Sequence, residues 1–372
     1  MSIRLSACVL GCLLGVLSGL GQAQAQATLP VLVPVTGFVA LEGTSQRNGA
    51  LLALKDAEAR LKLAPDVIDT GAAPEGAVTG FERALDDKPV AVVAPILGTQ
   101  MLALLPLAQR YKLPLITISG TAKITELGSD WVFRFFPGDG TVKKAQARYA
   151  IEKLGKKKPA LLYQTTAYGQ SGRDELARQF AALGTPLVYE EGLSTSVKDI
   201  LPALGKAMAA GADVLILQLH APSTALAIGQ ARNAGIVLPI VAGSAMHQPA
   251  TAALLQPQEL AGVCAETASS PISGGSDAMQ RFADTYRRQF GSDPDAFAVA
   301  QYDGTMMLIE ALLAGAKDGE AVRAYLASHA YKGLAMTYRS DGKGNMAHDA
   351  QIVCFDGKTR VPALVARYPD SP

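Results

Sequence analysis

The sequence predicts an α/β protein made of two doubly wound, Rossmann-like lobes. Three observations lead there. At 372 residues the chain exceeds one ordinary domain and suits two. Short apolar runs alternate with longer stretches of helical periodicity, and the alternation restarts near residue 160. The runs are almost continuously apolar, which signifies sheets covered on both faces and hence parallel strands flanked by helices.

The first unit opens with a Val-rich strand at 29–35. A helix follows over 45–62, with Leu51, Leu54, Ala57 and Leu61 at the spacing of one buried face. Further strands are expected at 67–69, 90–94, 115–118 and 132–135, with helices between. The second unit has strands at 160–164, 187–190, 214–219 and 239–242. Residues 277–330 carry helical periodicity and no good strand, so they complete the first lobe. Three segments rich in Pro, Gly, Ser or Asp (135–139, 267–275 and 338–345) are the places where the chain would pass between units.

The N-terminus has one charge, Arg4, before Glu42, an apolar stretch at 9–20, and then alternating Gln and Ala to Ala27. This is the layout of a secretory signal, with cleavage after Ala25 or Ala27. Twelve apolar residues are too few to span a bilayer, which takes about 20. Removing 1–27 takes away Cys8 and Cys12 and leaves Cys264 and Cys354. In an oxidising compartment these two pair or, equally consistent with their apolar surroundings, remain buried thiols. Formal net charge is +1, and no single-sign run exceeds Lys156-Lys157-Lys158, so no nucleic-acid surface is indicated.

Ligands of open α/β sheets bind beyond the carboxyl ends of the strands. Here that picks out the loops 36–43, 95–100 and 119–121 in the first lobe. In the second it picks out 167–169, 220–223 and 243–247. Gly, Ser and Thr at helix starts offer backbone and hydroxyl donors to a small anion, and they are also ordinary caps. His220 and His247 fall on these loops and are expected as hydrogen-bonding or packing residues more than as acid–base catalysts.

Pro34-Val-Thr-Gly37, Arg47-Asn-Gly-Ala50, Val92-Val-Ala-Pro95, Leu113-Pro-Leu-Ile-Thr-Ile-Ser119 and Val132-Phe-Arg134 occur in that order. Ala167-Tyr-Gly169, Gln230-Ala-Arg-Asn-Ala-Gly235 and Ala300-Gln-Tyr-Asp303 follow. In order and spacing the chain resembles the type I periplasmic binding proteins of the branched-chain amino acid and amide receptor family. The resemblance implies two lobes joined by three crossovers: 28–137 with 269–338, and 138–268 with 339–372, after a signal of 1–27. It also implies a monomeric periplasmic receptor that hands a small molecule to the permease subunits of an ABC transporter. No cofactor, metal or nucleic-acid partner is expected.

By position, Gly98, Thr99, Ser119 and Thr121 would meet the ligand's carboxylate and amine, and Tyr168 would cover it. Members that bind amino acids usually carry an acid on the loop occupied here by 243–247, often a serine where Gly98 stands, and a tyrosine near Ala221. This chain has none of these. Glu42, where an aromatic residue is frequent, is either a negative charge supplied from the opposite lobe or a solvated loop residue. Ala221, Ala245 and Met246 would line their half with apolar surface. The ligand is thus an amino acid, an organic or aromatic acid, or an amide.

An enzyme is the competing class. The four histidines are widely spaced, no His-Glu-x-x-His or Gly-x-Ser-x-Gly occurs, and Gly342-x-Gly344-x-x-Ala347 lies in a turn-like segment with no helix after it. A soluble sensing partner of a membrane receptor would share the fold.

Overall fold

The computed structural model describes residues 27–369, so the expected export signal lies outside the described residues except for Ala27. The first run of elements is β1 (Ala27–Val33), α1 (Ala40–Ala57), β2 (Leu63–Asp69), α2 (Pro74–Ala84), β3 (Val92–Val93), α3 (Gly98–Tyr111), β4 (Leu115–Thr117), α4 (Lys123–Glu126) and β5 (Val132–Arg134). The second is α5 (Asp139–Arg148), β6 (Pro159–Gln164), α6 (Ala167–Ala182), β7 (Tyr189–Leu193), α7 (Leu201–Ala209), β8 (Val214–Gln218), α8 (Ala221–Asn233), β9 (Ile240–Ala242), α9 (Pro249–Ala252) and β10 (Val263–Thr267). Three helices follow, α10 (Asp277–Phe290), α11 (Ala296–Leu313) and α12 (Gly319–Ser328). The chain ends with β11 (Tyr331–Lys332), β12 (Thr337–Tyr338), β13 (Ala350–Cys354) and β14 (Ala363–Tyr368).

The two sheets share one winding order. The first runs β2-β1-β3-β4-β5, all parallel. The second contains β7-β6-β8-β9-β10, the same order again and also parallel. In each, the chain reverses its direction of growth between the first strand and the third, which opens a crevice at their carboxyl ends. Apolar clusters cover both faces of each sheet, with Leu32, Val92 and Leu115 on one side of the first and Val31, Val93 and Ile116 on the other. The α/β expectation therefore holds in both halves.

Three details differ from the expectation. The helix placed at 45–62 spans Ala40–Ala57, with β2 starting at Leu63 ahead of the expected 67, so Glu42 lies in its first turn and not in a loop. The strand placed at 187–190 is Tyr189–Leu193; as an edge strand it is mostly half-buried and loses the apolar signature. The second sheet is not wholly parallel, because β13 and β14 add to β10 in antiparallel fashion.

The chain passes between the sheets through 135–138, 268–276 and 339–349, within or beside the Pro/Gly-rich segments. α10 and α11 return after the second passage to pack on α1. Gly49 permits the close approach of α1 and α11, since a Cβ there would stand 2.3 Å from the Ala298 carbonyl oxygen.

The open question of the cysteines is settled: Cys264 and Cys354 are register partners on β10 and β13 and form a disulfide across 90 residues of sequence. It ties the last passage of the chain to the second sheet. Reduction, or replacement of both cysteines by alanine, is expected to lower the unfolding free energy by about 2–4 kcal/mol. Urea denaturation with and without reductant measures this.

Candidate functional site

The crevices of the two sheets face each other across a small cavity. From the first sheet, the segment after β1 contributes Val39 and Glu42, the segment after β3 contributes Ile96 and Leu97, and that after β4 contributes Ile118 and Gly120. The second supplies Tyr168 from the first turn of α6, His220 just before α8, and Ser244 and Ala245 after β9. Phe136, in the first passage between the sheets, and Phe297, in the first turn of α11, close the apolar side. Their ring centroids are 5.0 Å apart.

The polar wall is built from helix starts. Thr166 caps α6, its hydroxyl accepting from the Gly169 N–H. That hydroxyl lies 3.1 Å from His220 Nε2. Burial pushes the His220 imidazole down to about 3, so it is neutral. The Tyr168 ring packs 5.2 Å from His220, and its hydroxyl is 3.3 Å from the Ser244 hydroxyl. Burial raises the Tyr168 phenol to about 12.

Glu42 crosses the cleft. Its Oε1 accepts the Ala221 N–H at 2.9 Å, at the first turn of α8. Burial pushes its carboxyl up to about 7 against that hydrogen bond, and Asp295 adds to the rise. A second seam joins the halves nearby. There Gln248 Nε2 donates to Asp295 Oδ2 at 2.7 Å, and the Ala296 N–H donates to His247 Nε2 at 3.1 Å.

Behind Tyr168 lies a buried charge cluster. Lys143 on α5 pairs with Glu266 on β10 at 2.6 Å and stands 3.9 Å from Asp139. Its Nζ is 5.6 Å from the Tyr168 ring centroid. Burial raises Asp139 to about 6 despite the pull of Lys143.

Of the ten residues expected at a ligand, the cavity wall brings together Glu42, Tyr168, His220 and Ala245. Ser119 and Thr121 flank Gly120, and their hydroxyl oxygens are buried without a partner among the described residues. Gly98 and Thr99 form the first turn of α3, whose preceding residue offers no side-chain cap. Ala221 acts through its backbone N–H. The apolar lining expected from Met246 comes from Ala245 instead; Met246 packs into the core of the second sheet. His247 stands off the wall, with its ring 4.8 Å from Phe297. The aromatic pair Phe136 and Phe297 was missed, although Phe136 sits in a segment already singled out as a passage, where a large apolar residue is out of place.

Gly98 explains a departure from the family pattern. A Cβ there would stand 1.9 Å from Thr121 Oγ1 and 2.8 Å from Thr121 Cβ. The volume a serine would occupy is taken by the Thr121 side chain. Gly98→Ala should displace Thr121, cost about 1–3 kcal/mol of stability as an overpacking change, and weaken ligand binding at least tenfold. Thermal denaturation and calorimetric titration read the two effects.

Among the described residues no group of three His, Cys, Asp or Glu side chains is arranged to hold a metal ion. No helix there is long and apolar enough to cross a membrane.

A family model described as periplasmic binding protein matches residues 26–359. An amino acid binding protein of Pseudomonas aeruginosa is 26% identical over 334 residues, covering 86% of this chain and 87% of the relative. A leucine-, isoleucine-, valine-, threonine- and alanine-binding protein of the same organism is 26% identical over 55% of this chain and 56% of its own length. Among solved structures, a leucine-binding protein from Thermotoga maritima superposes with a TM-score of 0.84 at 22% identity, covering 92% of this chain and 99% of that one. A solute-binding protein from R. palustris in complex with benzoate superposes equally, with a TM-score of 0.84 at 16% identity over 92% and 96% of the two chains. These structures share the fold.

Proposed function

The chain belongs to the periplasmic binding protein family, and from that membership we propose that it is the extracytoplasmic solute receptor of an ABC importer. It clamps a small ligand between lobes 28–137 with 269–338 and 138–268 with 339–372, after export directed by residues 1–27. The relatives' named ligands, amino acids and benzoate, set the range: an apolar body with a polar end. The permease subunits of the importer are its membrane partner, and the protein acts as a monomer.

The observation that carries this reading is the cavity itself. It is walled from both sheets at their carboxyl edges, aromatic on one side and bordered on the other by buried hydroxyls without partners. Ser119, Thr121 and the first turn of α3 suit a ligand carboxylate, and Tyr168 covers it. Each lobe contributes only part of the wall, so a ligand stabilises the closed form by contacts the open form lacks. No step of bond-making is required of any residue.

A thermal-shift screen of the mature protein against amino acids, amides, aromatic acids and short aliphatic acids tests the reading. A ligand at a hundred times its Kd stabilises by about 2.7 kcal/mol. Thr121→Ala should cost about 1.5–3 kcal/mol of binding if its hydroxyl meets a carboxylate, and Tyr168→Ala should weaken binding by a comparable factor. Wild-type affinity in both variants would place the ligand elsewhere.

A further inference from the structure

Glu42 is the one wall residue that carries a formal charge at neutral pH when ionised, because His220 is held neutral by burial. The wall contains no Lys or Arg. Two buried cations lie behind it, both engaged: Lys143 behind the Tyr168 ring, paired with Glu266, and Arg134, whose guanidinium donates to the carbonyls of Ser119, Gly120 and Thr121. Glu42 is 3% exposed, and its two oxygens have different surroundings. Oε1 accepts the Ala221 N–H of the opposite half; Oε2 is buried with no partner among the described residues. The neighbouring His220 Nδ1 is 3.9 Å from Oε1, too far for a hydrogen bond.

A buried carboxylate oxygen left without a donor is costly, more so than a neutral group. The Glu42 carboxyl is raised to about 7, so in its ionised form, at and above neutral pH, the donor for Oε2 has to come from the occupant. A plain monoanionic acid brings none, and it would fit only beside protonated Glu42, since beside the ionised form it adds a second negative charge to a space whose neighbouring cations are already engaged. A protonated nitrogen supplies both the donor and the opposite charge. We infer that the cavity selects solutes bearing a protonated nitrogen, with Glu42 as the counter-charge. This rests on the reading of the cavity as the solute site.

The placement of the acid has a second effect. Glu42 stands on α1 of the first lobe, yet its other oxygen holds the start of α8 in the second. One carboxylate therefore joins the ligand's charge to the closure of the cleft. A nitrogen on the ligand fixes the Glu42 rotamer that reaches Ala221, and an acid without nitrogen does not.

The test uses pairs that differ only in the amino group: leucine against 4-methylpentanoate, and phenylalanine against 3-phenylpropanoate, with benzoate and phenethylamine added. Each is titrated calorimetrically into the wild type and into Glu42→Gln, which keeps an acceptor for the Ala221 N–H; thermal melting confirms that the variant is folded. The expected result is that at least one amino-bearing probe binds the wild type a hundredfold or more tightly than its deaminated partner. In Glu42→Gln that ratio falls below tenfold, because the amine binds more weakly while the acid binds as well or better. Tighter wild-type binding of benzoate or of the deaminated acids overturns the inference and leaves the solute site standing. An unchanged ratio in Glu42→Gln also overturns it. Binding of no probe by either protein overturns the solute-site reading and this inference together.

Discussion

Arg134→Ala is expected to lower the unfolding free energy by about 3–5 kcal/mol and to weaken ligand binding with it. The guanidinium is buried, and it is the hub of the first and third passages between the sheets. Nη1 donates to the carbonyl oxygens of Ser119, Gly120 and Thr121 at 3.4, 3.1 and 2.8 Å. Nη2 donates to the Thr125 hydroxyl at 2.8 Å, and Nε to Asn345 Oδ1 at 3.0 Å. Its backbone pairs with the third passage as well: the Arg134 N–H donates to the Gly344 carbonyl, and the Met346 N–H to the Arg134 carbonyl. Truncation leaves several buried acceptors without donors, each costing roughly 1–3 kcal/mol. Arg134→Lys should recover little, since a single ammonium cannot span the positions served by the planar fork. Urea denaturation gives the stability. A deficit under about 1 kcal/mol would mean that water replaces the guanidinium and that this hub contributes little.

Lys143→Met should cost a similar amount, again about 3–5 kcal/mol, by leaving Glu266 and Asp139 buried without their cation. The side chain is fully buried, and the ion pair with Glu266 lies where two passages take root, one following β5 and the other following β10. Lys143→Met combined with Glu266→Leu should restore most of the loss, because removing both charges removes the desolvation penalty with the attraction. The single variant should also respond to pH. Asp139 titrates near 6 in the folded chain, above the unfolded value of about 3.9. A raised acid costs stability as pH climbs through that interval, and loss of Lys143 raises it further. The deficit relative to wild type should therefore be larger at pH 8 than at pH 5.

Much of the fold was legible because β4, β6, β8 and β9 are short apolar runs covered on both sides. Their burial leaves a signal that periodicity can find. The three passages were legible through Pro and Gly. β7 was displaced because an edge strand carrying Glu190 and Glu191 lacks that signal; Glu190 pairs with Arg173 on the surface. The start of α1 was hidden because Val39 stands where a capping Ser, Thr, Asp or Asn would mark it. The loops around the site were legible from the rule of strand ends. The identity of its wall was not, since Ile96, Ile118 and Phe297 look like core residues until the two halves are set face to face. Glu42 is the instructive case. An acid at the end of the apolar stretch Phe38-Val-Ala-Leu41 reads equally as a solvated loop residue or as a charge supplied across the cleft, and its burial against Ala221 removes the first of these.

The most direct measurement is a crystal structure of the mature protein grown with whichever probe stabilises it most. Density for that molecule should lie between Tyr168 and the Phe136–Phe297 pair, within hydrogen-bonding reach of Glu42 Oε2. A tightly bound probe found outside the space between the sheets, with the Glu42 oxygen still unmet, would contradict the clamp.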